Sequence, residues 1–414
     1  MIRFLTKGIL RDRTRSVFPV LVVTLTVAMI IFFQGFLTGI MNSMFLDSAV
    51  VSTGHVKVMT RAYKEENQLL PNDLALLETD QLIQGLNKDY SDYFWTPRIT
   101  FGGLLDVPDE KGETRSQGPV IALGIDLLSM ESRQIEIWKL EQRLVDGRLP
   151  EIPNEVLLST KLADRLGLSL GETVTLIGST MYNAFTTYNF IVVGTFKLNL
   201  GPVDKQMMLV DIEGARMALD MENAASEILG FTESLIYEDE ATVALRQQYN
   251  ENNSDSTDIF SPIMMALRDA NQMGTMVDFS NAAMAIMLVI FLVIVMIVLW
   301  NMGLMNGLRR YGEIGMRLAM GESKGQVYRS MIVESVIIGF IGTVIGTAMG
   351  LGITYYMQEV GLDYSEAMEG LASTDIIMSN VFYAQVTPEL YYIGFIPGVL
   401  ATVLGTMIAG RAIY

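Results

Sequence analysis

Residues 17–46 read VFPVLVVTLTVAMIIFFQGFLTGIMNSMFL, thirty positions without one Asp, Glu, Lys or Arg in a chain where those four make up 18% of residues. A helix crossing a hydrocarbon layer of about 30 Å needs roughly 20 apolar residues at about 1.5 Å rise each, so this stretch is long enough to span a membrane. Three further charge-free stretches follow: Phe279–Leu308, Ser335–Gln358 and Leu390–Gly410. The expected fold class is therefore a membrane protein of four transmembrane helices, at 17–46, 279–306, 331–358 and 390–411. A polar block, 47–278, separates the first span from the second and is large enough to bury a core of its own.

The basic residues set the expected orientation. Arg3, Lys7, Arg11, Arg13 and Arg15 crowd the segment 1–16, and Arg309, Arg310, Arg317, Lys324 and Arg329 crowd the loop between spans two and three, 307–330. The loop 359–389 has no Lys or Arg and instead holds Glu359, Asp363, Glu366, Glu369, Asp375 and Glu389. Excess positive charge marks the cytoplasmic side, so both termini (1–16 and 412–414) are read as inside and the large block as outside. That block carries 18 Lys and Arg against 36 Asp and Glu, so the chain's net charge of −17 sits in it. An acidic exterior argues against binding nucleic acid or anionic headgroups there. The first apolar run exceeds a signal core and no A-x-A-like site follows, which reads as a retained span. The basic segment before it has the composition of an amphipathic helix lying on the inner leaflet.

Within the block, Gly54–Val58, Glu172–Ile177, Phe190–Val193 and Gln206–Val210 read as strands, and Lys161–Leu166 and Glu240–Gln248 as helices. Pro97, Gly102-Gly103, Pro108, Gly112 and Gly118-Pro119 read as loop punctuation. The expectation is an α+β domain with one module, about 119–205, inserted in another. The chain has no cysteine, so that domain relies on its core rather than on disulfides.

The chemistry is bounded mainly by what is missing. One histidine, His55, and no cysteine exclude His/Cys zinc sites and Cys-His nucleophiles, and His55 itself reads as a structural strand residue. No G-x-x-x-x-G-K-(S/T) loop is present, and Gly321-Glu322-Ser323-Lys324-Gly325 has the wrong order to cradle phosphates. No carboxylate pair stands out as an acid/base dyad, so no catalytic, cofactor-binding or metal-binding residue is assigned and the chain reads as a non-catalytic subunit. In span three, Gly342, Gly346 and Gly350 recur every four residues, which leaves a groove where another helix can approach. Glu334 sits at the cytoplasmic start of that span, where the helix dipole tolerates a carboxylate.

The loop before span three is recognisable. Arg309-Arg310-Tyr311-Gly312-Glu313-Ile314-Gly315-Met316-Arg317-Leu318-Ala319-Met320-Gly321-Glu322-Ser323, followed by Glu334, Gly339 and Gly342, resembles the R-x-x-E-I-G-x-x-R-A-x-G-(A/S) signature of FtsX-like ABC permeases, with one residue more between the second Arg and the Gly. Residues 10–16, Thr53–Val58, Gly124-Ile125-Asp126, Leu162–Leu168 and Phe190–Phe196 are similar to the lipoprotein-releasing (LolC/LolE) branch with its MacB-type periplasmic core. The resemblance implies a multi-pass protein of the bacterial inner membrane with a periplasmic large domain. It implies two copies of a separate ATP-binding subunit, which bind ATP and Mg, seated on a coupling loop with Glu313, Ile314, Gly315, Arg317, Ala319, Gly321, Ser323 and Glu334 as its key positions. A second permease chain, identical or sister, completes the assembly. In that branch the cargo is an acylated protein taken from the membrane and passed to a periplasmic carrier.

The segment 179–189 is a charge-free hairpin loop with Met181, Tyr182, Phe185 and Tyr188, at the place of the carrier-grasping hook of LolC-like subunits, although it lacks the proline and arginine found there. Met41, Met44 and Phe45, just outside span one, are candidates to contact a lipid substrate. Two alternatives accompany lipoprotein release: a MacB-like mechanotransmission efflux permease, and an FtsX-like regulator of cell-wall hydrolases that transports nothing.

Overall fold

The computed structural model describes residues 13–109, 111–198, 205–255, 257–270, 273–309, 311–363 and 381–413. Most of the basic N-terminal segment and of the acidic loop 359–389 therefore lies outside the described residues. The elements run in the order α1 (Arg13–Ser48), a π-helical turn Ala49–Thr53, β1 (Val56–Thr60), α2 (Arg61–Glu66), β2 (Leu76–Leu77), α3 (Thr79–Asp89), β3 (Tyr93–Pro108), β4 (Thr114–Ile125), α4 (Gln134–Ile137), α5 (Leu140–Arg143) and β5 (Leu144–Gly147). There follow β6 (Glu155–Ser159), α6 (Thr160–Leu166), β7 (Thr173–Ser179), β8 (Phe185–Phe196), β9 (Met207–Asp211), α7 (Ile212–Leu219), β10 (Ala224–Ala225), β11 (Glu227–Thr232), α8 (Asp239–Asn253) and β12 (Pro262–Ala266). The chain then continues as α9 (Met273–Arg309), α10 (Tyr311–Ala319), α11 (Lys324–Val360), β13 (Leu362–Asp363), β14 (Val381–Phe382), α12 (Leu390–Ile393), a second π turn Ile396–Leu400, and α13 (Ala401–Ile413).

Among the described residues, four helical segments are long and apolar enough to cross a membrane: Val17–Thr53, Met273–Val298, Lys324–Val360 and Leu390–Ile408. The expected four-span protein with a large α+β domain is what the structure shows. The chain divides into a membrane unit, 1–43 with 278–366 and 380–414, and a polar unit, 44–277 with 367–379.

In the membrane unit the glycines decide which helices touch. A Cβ added to Gly342 would lie 2.7 Å from Val23 Cβ, one on Gly346 2.6 Å from the Thr24 carbonyl oxygen, and one on Gly350 2.9 Å from that of Ala28. The four-residue stripe of α11 therefore receives the backbone of α1, and Thr24 Oγ1 donates to the Gly342 carbonyl at 3.3 Å. Val23, Val27, Ile30 and Ile31 of α1 are buried there with Leu390.

The polar unit is built on one long strand. The first part of β3 (Tyr93–Arg98) pairs with β11, giving the antiparallel sheet β12-β1-β11-β3. Its second part pairs with β4 and, at Leu104–Asp106, with β7, so that β3-β4-β9-β6-β8-β7 returns to β3 and closes a barrel. The second module thus takes in part of β3 and extends to β9, residues on both sides of 119–205. Pro97, Gly102-Gly103, Pro108 and Gly118-Pro119 lie inside β3 and β4, not in loops. Gly103 is required by closure: a Cβ there would sit 2.8 Å from Leu176 Cδ1 and 2.9 Å from the Ile177 carbonyl oxygen.

Phe101, Leu105, Val120, Val174, Phe190 and Met208 belong to the barrel core, against Leu162 and Leu166 of α6 and Ile212 and Leu219 of α7. Both helices start on a side-chain cap, Ser159 Oγ accepting from Leu162 N at 3.2 Å and Asp211 Oδ2 from Glu213 N at 2.9 Å. The first sheet buries Val56, Val58, Trp95 and Ile228 against Leu86 of α3 and Tyr249 of α8. Its outer strand β12 is closed off locally. Asn250 takes both outward groups of Met264, accepting from its N–H at 2.7 Å and donating to its carbonyl at 2.9 Å. Ala266 N–H donates to Asp269 at 2.9 Å, and Pro262 has no N–H to offer.

Candidate functional site

The coupling segment is a helix, a stop and a restart. In α10 the last carbonyls are capped by the following turn: Gly321 N–H donates to the Leu318 carbonyl at 3.1 Å and Glu322 N–H to that of Arg317 at 3.1 Å, with Gly321 at φ +94°. Two residues later Ser323 opens α11 with a capping box, its Oγ accepting from Gln326 N–H at 3.3 Å while Gln326 Oε1 accepts from Ser323 N–H at 3.1 Å. Arg317 locks the elbow, its guanidinium forking onto Glu322 at 2.6 and 3.0 Å. Of the signature positions, Arg317, Gly321 and Ser323 are thus turn-forming. Glu313, Ile314, Gly315 and Ala319 lie along α10, and Glu334 is half-buried on α11.

The outward face of α10 takes in Gly315 and Ala319 of the signature together with Gly312, Met316 and Met320, which went unread in the sequence. Gly312 and Gly315 have open space where a Cβ would stand, Ala319 is exposed, and Met316 and Met320 are 65% and 80% exposed. Positions 312, 315, 316, 319 and 320 share one helical stripe, which leaves a smooth apolar strip of small residues and two flexible thioethers. Replacing Gly321 by Ala forces a side chain into a left-handed backbone and is expected to cost about 1–2 kcal/mol at the elbow. Faster amide hydrogen exchange at Glu322 and Ser323 checks it.

The other candidates separate on inspection. The hairpin is tighter than read: Phe185–Asn189 pairs with Thr175–Ser179, and only 180–184 form its loop. Met181 is buried in the barrel core, which withdraws it from a partner, and Tyr188 is half-buried, packed on that core with its ring 4.9 Å from Phe190. Tyr182 and Phe185 are 71% and 77% exposed. Phe45 is buried with its ring 5.9 Å from Tyr237, which withdraws it from lipid, whereas Met41 and Met44 are half-buried on α1.

His55 is wholly buried between the rings of Phe231 and Tyr237, at 5.6 and 5.9 Å, and its Nδ1 accepts from Thr232 N–H at 3.2 Å. Burial lowers its pKa to about 4, so it is neutral at physiological pH. Among the described residues no group of three or more His, Asp or Glu side chains gathers to hold a metal.

A buried ionic cluster stands where α1 leaves its membrane segment. Arg98 of β3, 2% exposed, donates through Nε and Nη2 to Glu227 Oε1 of β11 at 3.1 and 2.7 Å. Lys57 Nζ of β1 lies 2.9 Å from Glu227 Oε2. The rest of the guanidinium caps the end of the first span, donating from Nη1 to the carbonyls of Val50 and Val51 at 3.1 and 3.0 Å and from Nη2 to that of Ser52. Burial alone would push the Glu227 carboxyl up, but Arg98 and Lys57 outweigh it and bring it down to about 2. Asp47, one turn earlier, pairs with Arg143 at 2.6 Å. No motif marks these residues in the sequence; the one signal is a lone Lys and a lone Glu within otherwise buried strands.

Residues 285–414 match the family described as FtsX-like permease C-terminal. An uncharacterized ABC transporter permease protein of Mycobacterium tuberculosis is 23% identical over 298 residues, 69% of this chain and 31% of its own length. The macrolide export ATP-binding/permease protein MacB of Hyphomonas neptunium is 34% identical over 62 residues, 15% of this chain and 10% of that one. The chain thus spans under a third of either relative. Among solved structures, the periplasmic region of MacB from Actinobacillus actinomycetemcomitans aligns at 13% identity and a TM-score of 0.36, over 54% of this chain and 94% of that one.

Proposed function

We infer, from the premise that the membrane half is an FtsX-like permease domain, that this chain is the permease of an ABC transporter of the FtsX/MacB type, driven by a separate ATPase subunit. The observation that carries the reading is the exposed strip of α10, Gly312, Gly315, Met316, Ala319 and Met320, mounted on a doubly capped elbow. An apolar exposed strip on a rigid turn is what a partner subunit needs in order to grip and to push. With Arg317 forked onto Glu322, a push on α10 passes into α11, which holds α1 through its glycines. Substituting Arg317 loosens the elbow as well as any contact to the partner; Glu313 and Ile314 remain proposed partner contacts.

Met316→Asp with Met320→Asp is expected to weaken retention of the ATPase subunit by about tenfold or more while the chain still folds, because both side chains are exposed. Co-purification and permease-stimulated ATP hydrolysis measure this, and undiminished retention would count against the reading.

The finer proposal is release of lipoproteins from the bacterial inner membrane, with both termini cytoplasmic and the polar unit periplasmic. Tyr182 and Phe185, at the exposed end of the hairpin, are its candidate carrier contacts, and Met41 and Met44 its candidate lipid contacts. The likeness to a macrolide exporter over 62 residues supports efflux by transmitted motion as the second reading. Proteoliposomes holding the permease, its ATPase and a triacylated lipoprotein separate the two. ATP-dependent appearance of the lipoprotein in the soluble fraction supports release, and its absence favours efflux.

A further inference from the structure

We propose that Arg98 is a positioning residue that clamps the exit turn of the first span to the central strands of the polar unit, so that motion of that helix end moves the sheet as one body. The clamp follows from where the helix stops. In the π turn Ala49–Thr53, Gly54 N–H reaches back to the Ala49 carbonyl, and the carbonyls that follow have no helical donor. Arg98 takes three of them, those of Val50, Val51 and Ser52, while the other side of its fork is held by Glu227. A guanidinium is the one side chain with enough donors in fixed geometry to do both.

Charge makes the arrangement cooperative. Arg98, Lys57 and Glu227 together carry one surplus positive charge in a buried site, and the carbonyl end of the helix supplies the compensating negative potential. Withdrawing the helix end would strand a buried guanidinium without its acceptors, and removing Glu227 would strand two cations. Strands β1, β3 and β11, which carry the three residues, are hydrogen-bonded neighbours, so the load is spread over the sheet at once. The link between helix and strand, Thr53–His55, is therefore fixed: Gly54 sits at φ +63° with its virtual Cβ 2.8 Å from the Val56 carbonyl oxygen, and His55 N–H donates to Gly230 at 2.9 Å.

The inference rests on the permease reading for its purpose but not for its test. The full chain has no cysteine, so spin labels at Leu46→Cys and Lys88→Cys report on the helix end against the polar unit alone. The wild-type background is expected to give one narrow distance distribution. Arg98→Gln is expected to lose it to a broad one, while Arg115→Gln, which removes only exposed contacts to Glu172 and to the Gly167 carbonyl, keeps it. A distribution that stays narrow in Arg98→Gln overturns the clamp. Should that variant not fold, amide exchange on the unmodified chain decides. Protection at Gly54 and His55 equal to that of β1 supports the clamp, and rapid exchange there overturns it. Neither measurement uses the ATPase, so a failed clamp and a failed permease are told apart.

Discussion

Glu227→Ala is expected to lower the unfolding temperature of the full chain by about 10 °C, the result of a loss of about 3–5 kcal/mol in the polar unit. The carboxylate is 5% exposed and faces two cations, Arg98 and Lys57, at 2.7 and 2.9 Å. Deleting it leaves both buried without a counter-charge, which costs far more than the net worth of the pair in the native protein. The pH dependence provides a second check. Since the folded carboxyl lies at about 2, below its ordinary 4.5, its contribution is complete above pH 4.5 and is lost as pH falls towards 2. The stability gap between the native chain and Glu227→Gln, measured by thermal unfolding, is therefore expected to be constant from neutral pH to about pH 5 and to narrow below it. A gap that is small at pH 7 would show the cluster to be dispensable.

Gly346→Leu is expected to part α11 from α1 and to cost about 3 kcal/mol or more. The first atom added already lies 2.6 Å from the Thr24 carbonyl oxygen and 2.9 Å from Val27 Cβ, and a backbone oxygen cannot swing aside as a flexible side-chain end can. Gly352→Leu is the control, because its Cβ would meet nothing within 4 Å. The fraction of chain remaining in solution after heating in detergent is expected to fall sharply for the first and to match the native chain for the second. Equal losses would remove the glycine stripe from the account of helix packing.

These two sites show what was legible in the sequence and what was not. The spans are visible because a bilayer tolerates almost no charge over about 20 residues, a constraint that leaves an unbroken signal. The Gly342–Gly346–Gly350 stripe is visible for the related reason that close helix approach admits little else. Strands in the polar unit are found to within a few residues wherever apolar and β-branched residues alternate, as at β1 and β9. The barrel is hidden because β3 serves two sheets, and Gly103, which looks like a turn residue, is the place where β7 crowds it. The clamp is hidden because Lys57, Arg98 and Glu227 are ordinary charges in the chain and meet only through the register of β1, β3 and β11. On α10, the signature residues, Gly315 and Ala319 among them, drew attention, while Met316 and Met320 beside them, outside the signature, complete the exposed surface.

The sealed flank of β12 has a consequence for how this protein meets others. With Asn250 occupying Met264, Asp269 occupying the Ala266 N–H and a proline at the remaining position, this edge has no backbone donor left to offer, which disfavours lengthening the sheet by an extra backbone from a passing polypeptide. Recruitment to that side is thereby shifted towards side-chain chemistry, which favours brief, reversible encounters over zipper-like adhesion.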